Sequence, residues 1–176
     1  PNRIIKMSRQ FPGLNIKYGR PLGINPKILK VCLERIEETE KNSISSIARA
    51  ETFLITVAHG SNDPGVNLTT AKIPQTLCEN MGFGGFEINF IGTNQPLLSE
   101  SLEASIKMKF KRIIIFPFFL FNGVLTKRIA STVDDIQKQH PEVELLKAQH
   151  LNHHELIIDV FMKRAREAPF VLQDTN

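Results

Sequence analysis

A histidine followed by a loop of small residues is the most specific chemical feature of the sequence. It lies in the segment Val-Ala-His-Gly-Ser-Asn-Asp-Pro-Gly, residues 57–65, directly after an apolar run that predicts a buried strand. Neutral imidazole is a common metal ligand and also accepts a proton near pH 7. Hydrogen bonds to the loop backbone can hold such a histidine equally well. His59 is therefore either a reactive group or a structural one.

Three further histidines lie close together near the end of the chain. His150 follows the last predicted strand, and His153 and His154 stand where the next helix is expected to begin. The spacing permits metal binding. A helix start with Asn152 as the N-cap explains the same cluster without a metal, and it is the simpler interpretation.

The elements that must position these residues alternate regularly from residue 53 onward. Strands are predicted at 53–58, 86–91, 111–116 and 143–148, and helices at 66–81, 97–108, 125–139 and 154–167. A proline at position 74 is expected to kink or shorten the first helix. Four such units imply an α/β, flavodoxin-like fold, in which a four-stranded parallel sheet carries helices on both faces. Ligands of such sheets bind outside the carboxyl ends of the strands, where we expect His59.

The segment before this domain repeats the domain's last part. At an offset of 129 residues, 11–38 aligns with 140–167 without a gap, and self-similarity of this kind indicates a duplicated unit. We therefore predict four parts, which are listed here with their bounds: 1–38 as the remnant of a first half, 39–52 as a linker, 53–168 as a complete second half and 169–176 as a tail. On this reasoning roughly 75 to 80 residues of the first half are expected upstream.

Composition argues against several classes of partner. Ten of the 22 basic residues lie within 1–50 and the rest of the chain is slightly acidic, so the basic stripe of a nucleic-acid-binding domain is not expected. The longest apolar stretch, residues 113–121, has nine residues and contains a proline, far below the roughly 20 that span a bilayer. Two cysteines without a CxxC pair predict no disulfide framework and a reducing, cytoplasmic compartment.

Two known catalytic loops are missing from the segment around His59. The segment has no Gly-Lys-Ser/Thr sequence to hold phosphates and no G-x-S-x-G nucleophile elbow. No nucleotide cofactor is therefore expected. A flavodoxin-like binding module for a phosphorylated ligand remains a weaker alternative.

A second distinctive segment is Pro-Phe-Phe-Leu-Phe-Asn-Gly at residues 117–123. Together with His-Gly-Ser-Asn-Asp-Pro at 59–64, it resembles the sirohydrochlorin chelatases, enzymes that insert cobalt or iron into a tetrapyrrole. Residues 18–23, 90–98 and 140–154 follow the same family pattern. The resemblance covers nearly the whole chain, and the long form of that family has two homologous halves.

The resemblance implies ATP-independent insertion of Co²⁺ or Fe²⁺ into sirohydrochlorin, in cobalamin or siroheme biosynthesis. The divalent metal and the tetrapyrrole are then both substrates. His59 matches the family's metal-binding histidine, and it would serve as a ligand and as the general base for the pyrrole protons. Gly60 and Ser61 would shape the loop at the cleft. His150 is expected on the same rim and is predicted as a second metal ligand.

Basic side chains at the rim would attract the eight carboxylates of sirohydrochlorin. Arg20 follows the strand of the predicted first-half remnant, and Lys127 opens the third helix of the complete half. Both are predicted to bind substrate, although solvated surface charge explains them as well.

Two positions depart from the family pattern. The family's second histidine falls on Leu125, and its acidic residue falls on Gly92 or Gln95, so one of three expected groups remains. The alternative is a non-catalytic lobe that closes the cleft over a site in the missing first half, which would then be its partner. On this ground the chain alone is expected to bind divalent metal weakly and to be a poor chelatase. The sequence leaves open the choice of cobalt or iron and the oligomeric state.

Overall fold

The computed structural model describes residues 17–92, 97–168 and 170–171. A short 3-10 turn, Arg49–Glu51, precedes the second strand. The other elements are, in chain order, β1 (Lys17–Tyr18), α1 (Pro26–Lys41), β2 (Thr52–Ala58), α2 (Pro64–Met81), β3 (Gly85–Phe90), α3 (Leu98–Lys107), β4 (Arg112–Pro117), α4 (Val124–Gln139), β5 (Glu144–Lys147), α5 (Glu155–Arg166) and β6 (Phe170–Val171).

Four of the strands form one parallel sheet in the order β3-β2-β4-β5. Every residue of the two central strands, β2 and β4, is buried. Their sequences are nearly continuously apolar because helices cover the sheet on both sides. The predicted α/β, flavodoxin-like architecture is confirmed, with the ends of the four strands and four helices within two residues of the predicted bounds.

Alternate residues of the central strands enter two separate cores. Leu54 and Ile114 pack with α1, α2 and α5 on one face of the sheet. Ile55 and Ile113 pack with α3 and α4 on the other face. Cys32 of α1 lies fully buried in the first core, where burial raises the pKa of its thiol to about 12. Helix α1, from the predicted first-half remnant, therefore belongs to the packing of this domain.

Helix α2 begins two residues before its predicted start. The side chain of Asp63 accepts a hydrogen bond from the N–H of Gly65, and Pro64 occupies the first helical position. Pro74 lies buried inside the helix, which continues to Met81, so the proline does not shorten it. No helix within residues 17–92 and 97–168 combines the length and hydropathy needed to cross a membrane.

Helices α1 and α5 begin in the register of the sequence repeat, since Pro26 and Glu155 are separated by the repeat offset. Asn25 and His154 are their N-caps, and each side chain accepts a hydrogen bond from the N–H two residues further on. The prediction of Asn152 as the N-cap of α5 is wrong. That residue lies two positions before the N-cap and adopts a positive φ of 56°. The helix is capped by the imidazole Nδ1 of His154 instead.

A short pairing joins the two ends of the described chain. β1 and β6 run antiparallel, with Lys17 opposite Val171 and Tyr18 opposite Phe170. The sequence analysis did not anticipate this contact between the predicted remnant and the predicted tail. The first residues of the repeated segment, 11–16, lie outside the described residues.

The connection between α1 and β2 is fixed to the amino edge of the sheet. Arg112, the first residue of β4, is almost fully buried and donates to Glu144 at 2.5 Å. The same guanidinium donates to the Ser43 hydroxyl and to the Ser45 carbonyl, at 3.0 and 2.8 Å. Burial acts to raise the pKa of the Glu144 carboxyl, but the hydrogen bonds from Ser43 and Arg112 outweigh it and the pKa is lowered. The connection runs from 42 to 51, shorter than predicted, because α1 is longer and β2 begins earlier.

Candidate functional site

A cavity of about 630 Å³ opens at the carboxyl edge of the sheet. Strands β2 and β4 are neighbours there, and the connections that leave them lead to opposite sides of the sheet. Such a switch point is where open α/β sheets bind ligands. Three segments form most of its wall: residues 21–24 before α1, the first turns of α2, and residues 118–120 after β4. The wall is mostly apolar, and Asp63 is its charged residue.

His59 lies exposed directly after β2, at the edge where the sequence analysis expects it. Its carbonyl accepts a hydrogen bond of 2.6 Å from the N–H of Gly92, the second residue after β3. A Cβ atom at position 92 would lie 2.3 Å from that carbonyl oxygen and 2.8 Å from Nδ1 of the His59 ring. The absence of a side chain at Gly92 therefore lets the ring lie against the end of β3.

The loop after His59 is ordered by hydrogen bonds to its backbone. Gly60 has a φ of +80°, a conformation that favours glycine. The N–H of Ser61 donates to Oδ1 of Asn67, and Nδ2 of Asn67 donates back to the Ser61 carbonyl, both at 2.8 Å. The Ser61 hydroxyl accepts from the N–H of Asp63 at 3.1 Å. This geometry fits the loop-shaping role predicted for Gly60 and Ser61, which stays a prediction.

Sequence reasoning missed Asn67. Position 67 lies in the first turn of α2, where an asparagine is not unusual, so the sequence carried no signal for its role. Without the fold, nothing showed that its amide turns back to the loop rather than to solvent.

The histidines near α5 have separate environments. His154 caps the helix through Nδ1, which accepts the N–H of Leu156 at 3.2 Å, while its Nε2 lies 3.1 Å from a carboxylate oxygen of Glu34. Both ring nitrogens are thus engaged in contacts that need no metal. His150 is partly buried, and burial, followed by the positive charges of Arg35 and His153, lowers the pKa of its imidazole. His150 is therefore neutral at pH 7, the form that binds a metal.

The two predicted metal ligands follow different strands. β2 and β5 are separated by β4, so their backbones are roughly 10 Å apart. The ring of His59 lies against Gly92, on the side away from β5. Two nitrogens on one metal ion must approach to about 4 Å. Within residues 17–92 and 97–168, no three His, Cys, Asp or Glu side chains are grouped closely enough to hold a metal ion. A shared metal site of His59 and His150 stays a prediction.

The predicted substrate-binding cations lie at the border of the cavity and on α4. Arg20 directly precedes the wall residues 21–24, and it donates to a carboxylate oxygen of Glu167 at 2.7 Å. This hydrogen bond is the main cause of the lowered pKa of Glu167. Lys127 is exposed in the first turn of α4, and Leu125 beside it is half-buried. Binding of substrate by Arg20 and Lys127 stays a prediction.

The family model for CbiX matches residues 53–168, the part of the chain that carries the sheet, the exposed His59 and the loop after β4. The chain belongs to the CbiX family. The family predicted from the two motifs is thereby confirmed.

Curated relatives of this CbiX-family chain carry chelatase names. It is 30% identical over 167 residues to the sirohydrochlorin cobaltochelatase of Priestia megaterium, covering 95% of this chain and 54% of that protein. It is 25% identical to the sirohydrochlorin ferrochelatase of the same organism, covering 88% of this chain and 56% of that protein. The chain spans about half the length of these relatives.

Solved structures agree on the fold. SirB from Bacillus subtilis with Fe³⁺ superposes with a TM-score of 0.71 at 22% identity, covering 96% of this chain and 64% of SirB. SirB from the subspecies spizizenii in complex with cobalt gives a TM-score of 0.68 at the same identity, covering 96% of this chain and 61% of that one. The likeness shows that the CbiX-family chain has the chelatase fold.

Proposed function

We propose that this chain takes part in inserting Co²⁺ or Fe²⁺ into sirohydrochlorin without ATP. One observation carries the proposal: the family's strand-end histidine, His59, is exposed at the carboxyl edge of a CbiX-family domain, on the loop that also borders the 630 Å³ cavity. Membership of a family whose curated relatives are named cobaltochelatase and ferrochelatase supports the choice of substrate.

The ring of His59 has one nitrogen, Nε2, that is available to bind a metal ion or a proton. Nδ1 lies 3.2 Å from the Gly60 carbonyl, and a carbonyl oxygen can only accept a hydrogen bond. This contact favours the tautomer with the proton on Nδ1 and the lone pair on Nε2. Nε2 is then the atom that binds the divalent ion or accepts a pyrrole proton. Entry of one M²⁺ releases two pyrrole protons, so the metal-loaded macrocycle gains no net charge.

The lining of the cavity matches the apolar ring of the macrocycle and not its charged carboxylates. Its mostly apolar wall would contact the flat faces of the ring, because such faces gain from leaving water. The eight carboxylates would extend from the cavity into solvent, and Arg20, beside the wall residues 21–24, and Lys127, in the first turn of α4, are proposed to attract them. A first half-domain of the same protein is proposed to complete the ligand set, since an open catalytic metal site keeps about three protein groups.

Metal insertion is tested by following the absorbance of sirohydrochlorin after adding Co²⁺ or Fe²⁺ to the purified chain, in the absence of ATP. We expect slow metal insertion, above the uncatalysed rate, that is lost in His59→Ala. His140→Gln, at the opposite edge of the sheet, is the matched control and should retain its rate at 25 °C. Insertion no faster than the uncatalysed rate would favour a non-catalytic lobe, and turnover that is insensitive to His59→Ala would exclude His59 as the reacting group.

The same assay addresses the finer predictions. Comparing kcat/KM for Co²⁺ and Fe²⁺ assigns the product to cobalamin or siroheme biosynthesis. Titration of Co²⁺ into His59→Ala and His150→Ala tests the shared metal site: affinity should fall in both variants if the two histidines hold one ion. A cytoplasmic location, predicted from cysteine usage, stays a prediction.

A further inference from the structure

We propose that Asn67 is a positioning residue for His59, acting through the backbone of Ser61. This inference rests on the proposed function, because it assigns Asn67 a part in setting the geometry of the same site. Asn67 does not itself line the cavity; its backbone N–H donates to the carbonyl of Asp63, a wall residue, at 3.3 Å, and its side chain binds the loop that follows His59.

The two hydrogen bonds of Asn67 close a ring with one residue of the loop. Its amide accepts the Ser61 N–H and donates to the Ser61 carbonyl, both at 2.8 Å, so the peptide groups on both sides of Ser61 are fixed. On the other side of the loop, the N–H of Gly92 holds the His59 carbonyl at 2.6 Å. Gly60 is the single residue between these two anchors. It adopts the left-handed conformation, and glycine has the widest backbone freedom of all residues. The Ser61 N–H that Asn67 holds belongs to the same peptide group as the Gly60 carbonyl, which lies 3.2 Å from Nδ1 of His59. Without the Asn67 anchor, rotation of this peptide group would move the Gly60 carbonyl and so change the orientation of the His59 ring.

If Asn67 only stabilised the helix, its replacement would lower the melting temperature and would not lower the turnover of the folded protein. Capping of α2 is carried out by Asp63, whose side chain accepts from Gly65. Asparagine at position 67 costs helix propensity relative to leucine, which has a similar shape. Asn67→Leu gains helix propensity but loses both hydrogen bonds to Ser61, so its melting temperature should fall by no more than a few degrees, while a positioning role requires a larger loss of turnover at 25 °C, where the variant is folded.

The test compares three variants of the full chain: Asn67→Leu, Asn67→Asp and the control Asn80→Leu. Asn80 lies near the far end of the same helix, exposed, with its amide donating to the Thr76 carbonyl. We expect Asn67→Leu to lower kcat for Co²⁺ insertion about tenfold, with KM for sirohydrochlorin within about twofold. Asn67→Asp keeps the acceptor for Ser61 N–H and loses the donor, so its kcat should lie between the other two. Asn80→Leu should match the parent.

An activity-independent readout separates this inference from the proposed function. In NMR spectra of histidine side chains, Asn67→Leu should shift and broaden the His59 ring signals and leave those of His153 in place. If the parent chain shows no insertion, the proposed function fails, and the His59 signals still decide whether Asn67 positions the ring. Unchanged His59 signals, or a kcat that falls only in proportion to a lowered melting temperature, would overturn the inference.

Discussion

At the amino edge of the sheet, charged side chains bind one another, whereas at the carboxyl edge polar side chains bind the backbone of the loops. Arg112 pairs with Glu144 at the first edge, and Asn67 pairs with the peptide groups of Ser61 at the second. The charge pairs at the amino edge stabilise the fold without contributing to the cavity. Stability and activity should therefore respond to different substitutions in this domain.

The largest expected effect is the loss of stability caused by Arg112→Leu at the amino edge. Removal of the guanidinium leaves the mostly buried Glu144 carboxylate without its charged partner, and the Ser43 hydroxyl still donates to it. Breaking a buried pair of this kind costs about 3 kcal/mol, which lowers the melting temperature by roughly 6–12 °C for a domain of this size. The measurement is thermal unfolding followed by circular dichroism.

The neighbouring residue supplies the control for this prediction. Lys111 forms an exposed ion pair with Glu51, so Lys111→Ala should change the melting temperature little. At 25 °C the folded Arg112→Leu protein should still insert metal at the parent rate. Equal melting temperatures for the two variants would show that the amino edge does not stabilise the domain as described.

At the carboxyl edge, Gly92→Ala should act on activity more than on stability. The new Cβ would overlap the His59 carbonyl at 2.3 Å and approach Nδ1 at 2.8 Å, so the histidine must move. We expect an about tenfold loss of the insertion rate, with a melting temperature within a few degrees of the parent. Gly123→Ala is the matched control, because a Cβ there meets no atom within 4 Å. Equal rates for the two variants would contradict the importance of the Gly92 contact.

The smallest expected effect is a pH dependence of stability that His140 contributes at the amino edge. His140 lies between two carboxylates, with Nδ1 3.0 Å from Glu142 and Nε2 3.1 Å from Glu103. The hydrogen bond to Glu142, followed by that to Glu103, raises the pKa of the His140 imidazole. A raised pKa in the folded state means that the stabilisation is fully present below the unfolded pKa, near 6.5, and is lost as pH rises through the folded value.

The measurement is urea unfolding of the parent and His140→Gln between pH 5.5 and 8.5. The difference in their free energies of unfolding should be largest at the acid end of this range and should shrink as pH rises. Glu142→Gln, which removes one of the two carboxylates, should reduce this trend. A difference that grows with pH would contradict the proposed protonation of His140.

The sequence allowed the sheet to be predicted because its signals are local. Strands such as β2 and β4 are continuous apolar runs, and their buried environment requires this composition. His59 could be located for the same reason, since a polar residue directly after such a run must lie at the sheet edge. The contact of its ring with Gly92 was not predictable, because it depends on two loops meeting across neighbouring strands. The pairing of β1 with β6 was not predictable for the same reason, because it joins residues that are far apart in the sequence.

The position of Cys32 has a consequence for measurements on this protein. A thiol reacts with alkylating reagents as the thiolate, and a fully buried thiol with a pKa of about 12 supplies almost none at neutral pH. Alkylation of Cys32 therefore requires that α1 separate from the sheet. The labelling rate measures how often this helix, from the predicted first-half remnant, detaches while the sheet remains folded.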